Sequence, residues 1–486
     1  MSSIFKRFWR SDKDGKNEAE KRSLCDEHLL QYTRPGESGE CELIVGLDFG
    51  TSASKVVIQA PTLPGPPRYV VDFGDFSHQS AEYLLATRLS VTSDGTCYLT
   101  EQQDARVVND IKLELFARNE GLQSNRGPSR QGLDTEATAV AYLALLLRHA
   151  RKWFLETKRD VVGHFNRLRW SINLGVPSPC IEDNEENRRF GRVGKAAWML
   201  SVLEEVITLE KAQDQLRSLI ADPESWDRAD ERLTCDFEII PEIAAGAVGY
   251  ALSDLRREGL HVMVDVGAAT VDVCSFVLHR REGSDSYSLL MSDVKQFGTI
   301  RLHNERIRAL KRVYEKQAED LRDKHDPLVP IAEDVEAYLV SREQLISAVK
   351  KAEADLKMRC QEMLKRVIWE TKKSRDPNSS VWRGGRLPIL LIGGGSKLPF
   401  FRSAVEELDA WLKSHTGNDG ILLMPDEPLP KGFTSKTAKY DRIAVALGLS
   451  HPASDIGEII PADRIADIEP RARRNWDDRY VSMDQV

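Results

Sequence analysis

One strand–turn–strand unit occurs twice in this chain, and it constrains the fold more than any other feature. Leu43-Ile44-Val45-Gly46-Leu47 is an apolar run that ends in Asp48-Phe49-Gly50-Thr51-Ser52-Ala53-Ser54 and resumes as Lys55-Val56-Val57-Ile58. Far along the chain, His261-Val262-Met263-Val264 leads into Asp265-Val266-Gly267-Ala268-Ala269-Thr270 and then Val271-Asp272-Val273-Cys274-Ser275-Phe276-Val277. Each unit stops an apolar strand at an aspartate, turns through a glycine and small residues, and starts a second strand. Such a repeat predicts two related halves.

The unit suits phosphate chemistry. Glycine lets backbone N–H groups approach a phosphate, because no Cβ intervenes. The hydroxyls of Thr51, Ser52 and Thr270 add donors. An aspartate at each strand end, Asp48 and Asp265, can hold Mg²⁺ through its waters. Two facing hairpins would clamp a triphosphate from both sides. A single hairpin would more simply be turn chemistry; the pair favours phosphate.

A third glycine-rich turn follows the buried-type strand Leu387-Pro388-Ile389-Leu390-Leu391-Ile392. It reads Gly393-Gly394-Gly395-Ser396-Lys397-Leu398-Pro399 and leads into a helix-like run from Phe400 to Leu412. Three adjacent glycines leave bare backbone on which a flat ligand can lie. Ser396 and Pro399 suit a helix start. Neither the dinucleotide fingerprint nor the P-loop spacing is present.

Composition removes several classes. At 486 residues, with 41% hydrophobic and 30% charged residues, the chain can bury a core and is not of disordered type. Lys+Arg total 68 against 76 Asp+Glu, a net charge of −8, which argues against nucleic-acid binding through bulk positive charge. No apolar run reaches the roughly 18–20 residues of a transmembrane segment. The start, Met1 to Arg10, is basic but lacks the apolar core of a secretory signal. Seven widely spaced cysteines with no CxxC pair fit reduced thiols in a cytoplasmic protein better than disulfides or zinc.

Residues 1–40 read as a polar, flexible extension. Within it, residues 4–10 (Ile4 to Arg10) could make a weak membrane or partner contact, but the segment is too short to anchor alone. Amphipathic helices are expected over 184–220, 301–323 and 341–370, the last through Leu345, Val349, Ala352, Leu356, Met363 and Val367. Loops are expected at 61–68, 119–135 and 373–387.

On these motifs the chain resembles the actin-like ATPase superfamily of actin, sugar kinases and seventy-kilodalton heat-shock (DnaK-type) chaperones. Asp48-Phe49-Gly50-Thr51-Ser52 resembles the first phosphate loop, Asp265 to Asp272 the second, and Ile392 to Pro399 the adenosine loop. Three further segments are most similar to the chaperone branch. They are Ile239 to Tyr250, Asn173 to Pro179, and Arg442-Ile443-Ala444-Val445-Ala446-Leu447-Gly448. The resemblance spans roughly residues 42–450 and implies an α/β, two-lobed actin-like ATPase (duplicated ribonuclease-H-like) fold with a nucleotide cleft between the lobes. Lobe I would be 41–240 and lobe II 241–450, with a helical subdomain at about 300–370 and a charged tail over 451–486.

The same resemblance implies ATP or ADP with Mg²⁺ as ligands. Asp48 and Asp265 would hold the Mg²⁺ through waters. Gly50, Thr51, Ser52, Gly267, Ala268, Ala269 and Thr270 would face phosphates. Glu242 would orient the attacking water, completing a catalytic set with Asp48 and Asp265, and Asp272 would support the second loop. Gly393, Gly394, Gly395 and Ser396 would border the adenosine, with Lys397 near the base.

Two departures stand out. The second loop carries Ala268 and Ala269 where the chaperones usually have glycines. The family's first-lobe lysine has no counterpart in Tyr98 to Ala105, and the next lysine, Lys112, lies in what reads as the following helix. The expected function is an ATP-binding, chaperone-like switch that hydrolyses slowly and signals to an unidentified protein partner or client. The residues after 450 are too few for a peptide-binding domain. A nucleotide-binding pseudo-ATPase, a filament-forming protein and, last, a small-molecule kinase are the alternatives.

Overall fold

The computed structural model describes residues 39–76, 81–116, 133–165, 167–177, 184–203, 206–229, 234–281, 283–311, 343–424 and 438–468. Nearly all of the expected extension, residues 4–10 included, lies outside these. So do the second half of the expected 301–323 helix and the chain after 468.

The first repeat unit forms the centre of a six-stranded sheet. Strand β1 (Glu40–Asp48) pairs antiparallel with β2 (Ala53–Gln59), which pairs antiparallel with β3 (Arg68–Val70). The short β4 (Leu85–Ala86) also joins β2. A separate small sheet holds β5 (Leu89–Val91), β6 (Cys97–Tyr98) and β7 (Arg106–Val108). On its other side β1 pairs in parallel with β8 (Arg167–Val176), and β8 in parallel with β9 (Asp236–Pro241). The order is β3-β2-β1-β8-β9.

The second unit builds a matching sheet. Its strands are β10 (Gly259–Val266), β11 (Val271–Arg281), β12 (Ser284–Lys295), β13 (Leu387–Ile392), β14 (Ile421–Leu423) and β15 (Glu458–Ile460). The path β12-β11-β10-β13-β14 repeats β3-β2-β1-β8-β9 strand for strand, with the same parallel and antiparallel pairings. Strand β15 is an addition on the β12 edge. The chain is thus a mixed α/β protein whose two sheets share one topology.

Ten helices matter here. They are α1 (Ile111–Phe116), α2 (Thr135–Thr157), α3 (Asn184–Leu203), α4 (Leu209–Ala221), α5 (Glu242–Ala251), α6 (Thr299–Lys311), α7 (Glu343–Glu370), α8 (Pro399–Glu406), α9 (Asp409–Thr416) and α10 (Tyr440–Leu449). The stretch 184–220 is therefore two helices, and the apolar stripe of α7 buries Val349, Leu356, Met363 and Val367. Alternation along the strands sorts the cores. Leu43, Val45, Leu47, Val56 and Ile58 pack with α2 and α3 on one face of the first sheet. Val57, with Ala53 and Val70, meets Ile443, Ala446 and Leu447 of α10 on the other. The opposite side of α10, through Val445 and Leu449, joins α5 against Met263, Cys274 and Phe276 of the second sheet. Helices α5 and α10 therefore lie between the sheets.

These central helices touch backbone to backbone. A Cβ on Gly448 would fall 1.9 Å from the Ala245 carbonyl oxygen, and one on Gly46 would fall 2.3 Å from that of Ala446. Asn173 of β8 donates through Nδ2 to the carbonyls of Leu449 and His451 at 2.7 and 2.8 Å, tying the first sheet to the end of α10.

Two expectations need correction. The expected loop 373–387 starts within a π-helical turn, Thr371–Arg375, and contains a short 3₁₀ turn, Ser380–Trp382, with Trp382 buried. The start of the expected charged tail is folded: β15 pairs with β12, and Arg375 donates to the carbonyls of Leu290, Ala462 and Ile465. Asp467 accepts as well, so one guanidinium makes three contacts to that segment and a fourth, through Leu290, to β12. Among the described residues no helix is long and apolar enough to cross a membrane.

Candidate functional site

The sequence-derived residues gather at the carboxyl ends of parallel strands, where open α/β sheets leave crevices for ligands. Asp48 closes β1, Asp265 lies one residue before the end of β10, and Gly393 follows β13. Strand β9 passes straight into α5, with Pro241 the last strand residue and Glu242 the first helical one.

Both phosphate-type turns have their carbonyls tied from behind. In the first, the Thr87 hydroxyl donates to the Gly50 carbonyl at 2.7 Å and the Thr87 N–H to the Ser52 carbonyl at 2.9 Å. The Thr87 hydroxyl also lies 3.2 Å from Ser54 Oγ, which accepts from the buried Tyr142 hydroxyl at 3.0 Å. In the second, Gly267 N–H donates to Thr270 O at 2.9 Å. The N–H groups of Thr299, Ile300 and Gly298 donate to the carbonyls of Gly267, Ala268 and Ala269 at 3.1, 2.9 and 3.1 Å. All three loop carbonyls thus face the start of α6. Among the described residues the N–H groups of Ala268 and Ala269 have no acceptor. Backbone N–H groups so presented suit an anion. Neither alanine has a positive φ, so this loop has no conformational need for glycine.

The third turn is pinned to the second. Gly395 N–H donates to Val266 O at 2.9 Å. At Gly393 (φ +86°) a Cβ would fall 2.1 Å from Asp265 Oδ1, so only glycine fits beside that carboxylate. Ser396 is buried and its hydroxyl has no hydrogen-bond partner. Lys397, expected near the base, is exposed.

Charge is concentrated in the crevice. Lys55 stands opposite Asp48 across the first hairpin and donates to Asp48 Oδ2 at 2.9 Å. At the matching position of the second hairpin, Asp265 stands opposite another acid, Asp272. Lys112, second residue of α1, is buried and reaches Glu242 Oε1 at 2.5 Å. Burial works against the Lys112 ammonium, but Glu242, Asp48 and Asp272 more than offset it and its pKa is raised. Burial pushes Glu242 up, opposed by Lys112. Burial, then the charges of Glu242 and Asp48, push Asp265 up to about 7. Asp272 is raised well above its ordinary value by burial and by Asp265, and its Oδ1 has no hydrogen-bond partner. Four carboxylates therefore face two lysines, and a bound cation would relieve their repulsion. Among the described residues no group of three or more His, Cys, Asp or Glu is placed to ligate a metal directly. Two aspartates acting through waters remain compatible with that.

Two cations escaped the sequence reading. Lys112 falls in the helix expected after Tyr98 to Ala105, and that helix aims it into the crevice. Asp110, with a positive φ of 57° just before α1, makes the turn that does so. Lys55 is a strand residue, and its register opposite Asp48 follows from the hairpin.

No protein-family model matches this chain, and no curated protein matches it.

Proposed function

We propose that this chain binds a nucleoside triphosphate with Mg²⁺ between two lobes of an actin-like ATPase fold, and acts as a chaperone-like switch that hydrolyses ATP slowly. The observation that carries it is the pair of topologically equivalent hairpins. Each ends its first strand in a carboxylate, each has its loop carbonyls bonded away, and Lys112 and Glu242 sit between them. The repeated sheet order supports the duplicated ribonuclease-H-like reading.

The roles follow from position. Asp48 and Asp265 would hold the Mg²⁺ through waters, and the metal when bound would neutralise phosphate charge. Loops 50–52 and 267–270 would receive the phosphates. Lys55 and Lys112 supply positive charge there. Glu242 would orient the attacking water, and Lys112 would hold Glu242 in place. Gly393 to Ser396 would border the nucleoside, with the unpartnered Ser396 hydroxyl available to it. Such a switch would signal to a protein partner or client.

Turnover tests the reading. Wild type should release phosphate slowly from Mg-ATP, while Asp48→Ala, Glu242→Ala and Lys112→Ala should each lose most of that rate. Turnover that needs an added sugar or other acceptor would instead favour a kinase. Tight binding with no turnover in wild type would favour a pseudo-ATPase.

A further inference from the structure

The core between the first sheet and helices α2 and α3 holds a cation that the crevice does not use. Arg151 of α2 is 1% exposed and stands with Trp170 and Trp198 among the largest fully buried side chains. Its guanidinium lies over the Trp198 ring of α3, 4.2 Å from the centroid, and Nη2 donates to Ser201 Oγ at 2.7 Å. Nε and Nη1 have no hydrogen-bond partner, and among the described residues Arg151 has no ion pair. The indole N–H of Trp198 also lacks an acceptor, as does that of Trp170 in the same core. Arg148, three residues earlier on α2, donates to the carbonyls of Leu200 and Ser201 at 3.4 and 3.2 Å, so a second guanidinium meets the end of α3.

A buried charge is costly unless it is paired. Burial, then repulsion from Arg148, pushes Arg151 down to about 9, so it still carries its charge at neutral pH. The Trp198 face attracts the cation and Ser201 accepts one bond, but neither supplies a negative charge. Cys235 is the group whose ionisation would help Arg151, and burial holds that thiol well above its ordinary range, hence neutral. Water would fill an orphan bond without supplying the missing charge. Every orphan here is moreover a donor, since guanidinium and indole nitrogens accept nothing. We propose that a small inorganic anion of the halide class binds inside this core as a structural counter-ion, held by Arg151 and the Trp198 indole N–H. A halide suits so few donors, whereas the several oxygens of a buried phosphate would go unsatisfied. The bound ion would tie α2 to α3, the two helices that back the first sheet. The proposal does not depend on the nucleotide reading, because none of these residues lies on the phosphate-type or glycine turns.

Thermal melts of the full chain, without nucleotide or Mg²⁺, test this in sodium gluconate with chloride exchanged in at constant ionic strength. The proteins are wild type, Arg151→Met and Trp198→Phe. Wild type should melt higher as chloride replaces gluconate, by about 1–3 °C per tenfold rise once chloride exceeds its Kd. Arg151→Met leaves no cation to pair and should show no chloride response. It should also be no less stable than wild type in gluconate alone, which a purely packing role for Arg151 would not give. Trp198→Phe keeps a ring under the guanidinium but loses the N–H, so it should need about tenfold more chloride for the same shift. Bromide-soaked crystals of wild type should show anomalous density beside Arg151. Equal melting of wild type in chloride and gluconate overturns the proposal, and so does a core without bromide. A chloride response that survives Arg151→Met overturns it too, by placing the anion elsewhere. If a variant does not fold, the chloride dependence of wild type and the bromide position decide alone.

Discussion

Asp48, Asp265 and the glycines after them were legible because each ends an apolar strand, where a carboxylate has no packing role. Lys112 was not legible as a site residue. Its partner Glu242 is 130 residues away, and only the fold brings a first-turn helix side chain onto a strand end. Breaking this buried pair from one side leaves a buried charge alone, so Lys112→Met should cost about 3–5 kcal/mol in urea unfolding. Lys112→Met with Glu242→Gln should recover much of that; singles that cost nothing would show the pair to be solvated. Asp265 gives a pH signature. Its folded pKa of about 7 lies above the ordinary 3.8, so ionisation on unfolding penalises the native state as pH rises through that window. Without nucleotide or Mg²⁺, Asp265→Asn should therefore be more stable than wild type at pH 8, by up to about 4 kcal/mol, and no more stable near pH 4. An equal gap at both pH values would mean that Asp265 is ionised in the native state throughout.

Elements were read with uneven success, for physical reasons. The two hairpins declared themselves through apolar runs flanking small turn residues, and α7 through its stripe of Val349, Leu356, Met363 and Val367. Strand β15 did not, since three residues on a sheet edge carry no periodicity, and it is the Arg375 bonds that hold the chain around it. The contact of α5 with α10 is likewise a property of pairs: Gly448 matters because Ala245 faces it. Adding a side chain there must push the helices apart, so Gly448→Val should lower stability by about 1–3 kcal/mol or more in chemical denaturation. A neutral result would mean that the helices are not in backbone contact. Thr87→Val removes both the donor to Gly50 and a member of the Tyr142–Ser54 network. It should cost about 1–3 kcal/mol and weaken nucleotide binding more than it weakens folding. Loss of stability with unchanged binding would show that loop position is set elsewhere.

At the scale of the whole molecule, the repeat seen in two short segments extends to entire sheets of the same order and direction. That extension could not be read from the outer strands, because β3 and β14 have only three residues each while their counterparts β12 and β9 have twelve and six. The two sheets meet through α5, α10 and the Asn173 bonds, and the acids of one side lie within electrostatic reach of those of the other: Asp48 and Glu242 raise Asp265, and Asp272 helps hold the proton on Lys112. A ligand that binds both hairpins would therefore couple the two halves. The most direct measurement is an equilibrium titration of ATP and ADP into the full chain, with and without Mg²⁺, alongside Asp48→Ala. Mg²⁺-dependent saturable binding that Asp48→Ala abolishes or weakens strongly is the predicted result. No binding of either nucleotide by folded wild type, even at millimolar concentration, would contradict the account.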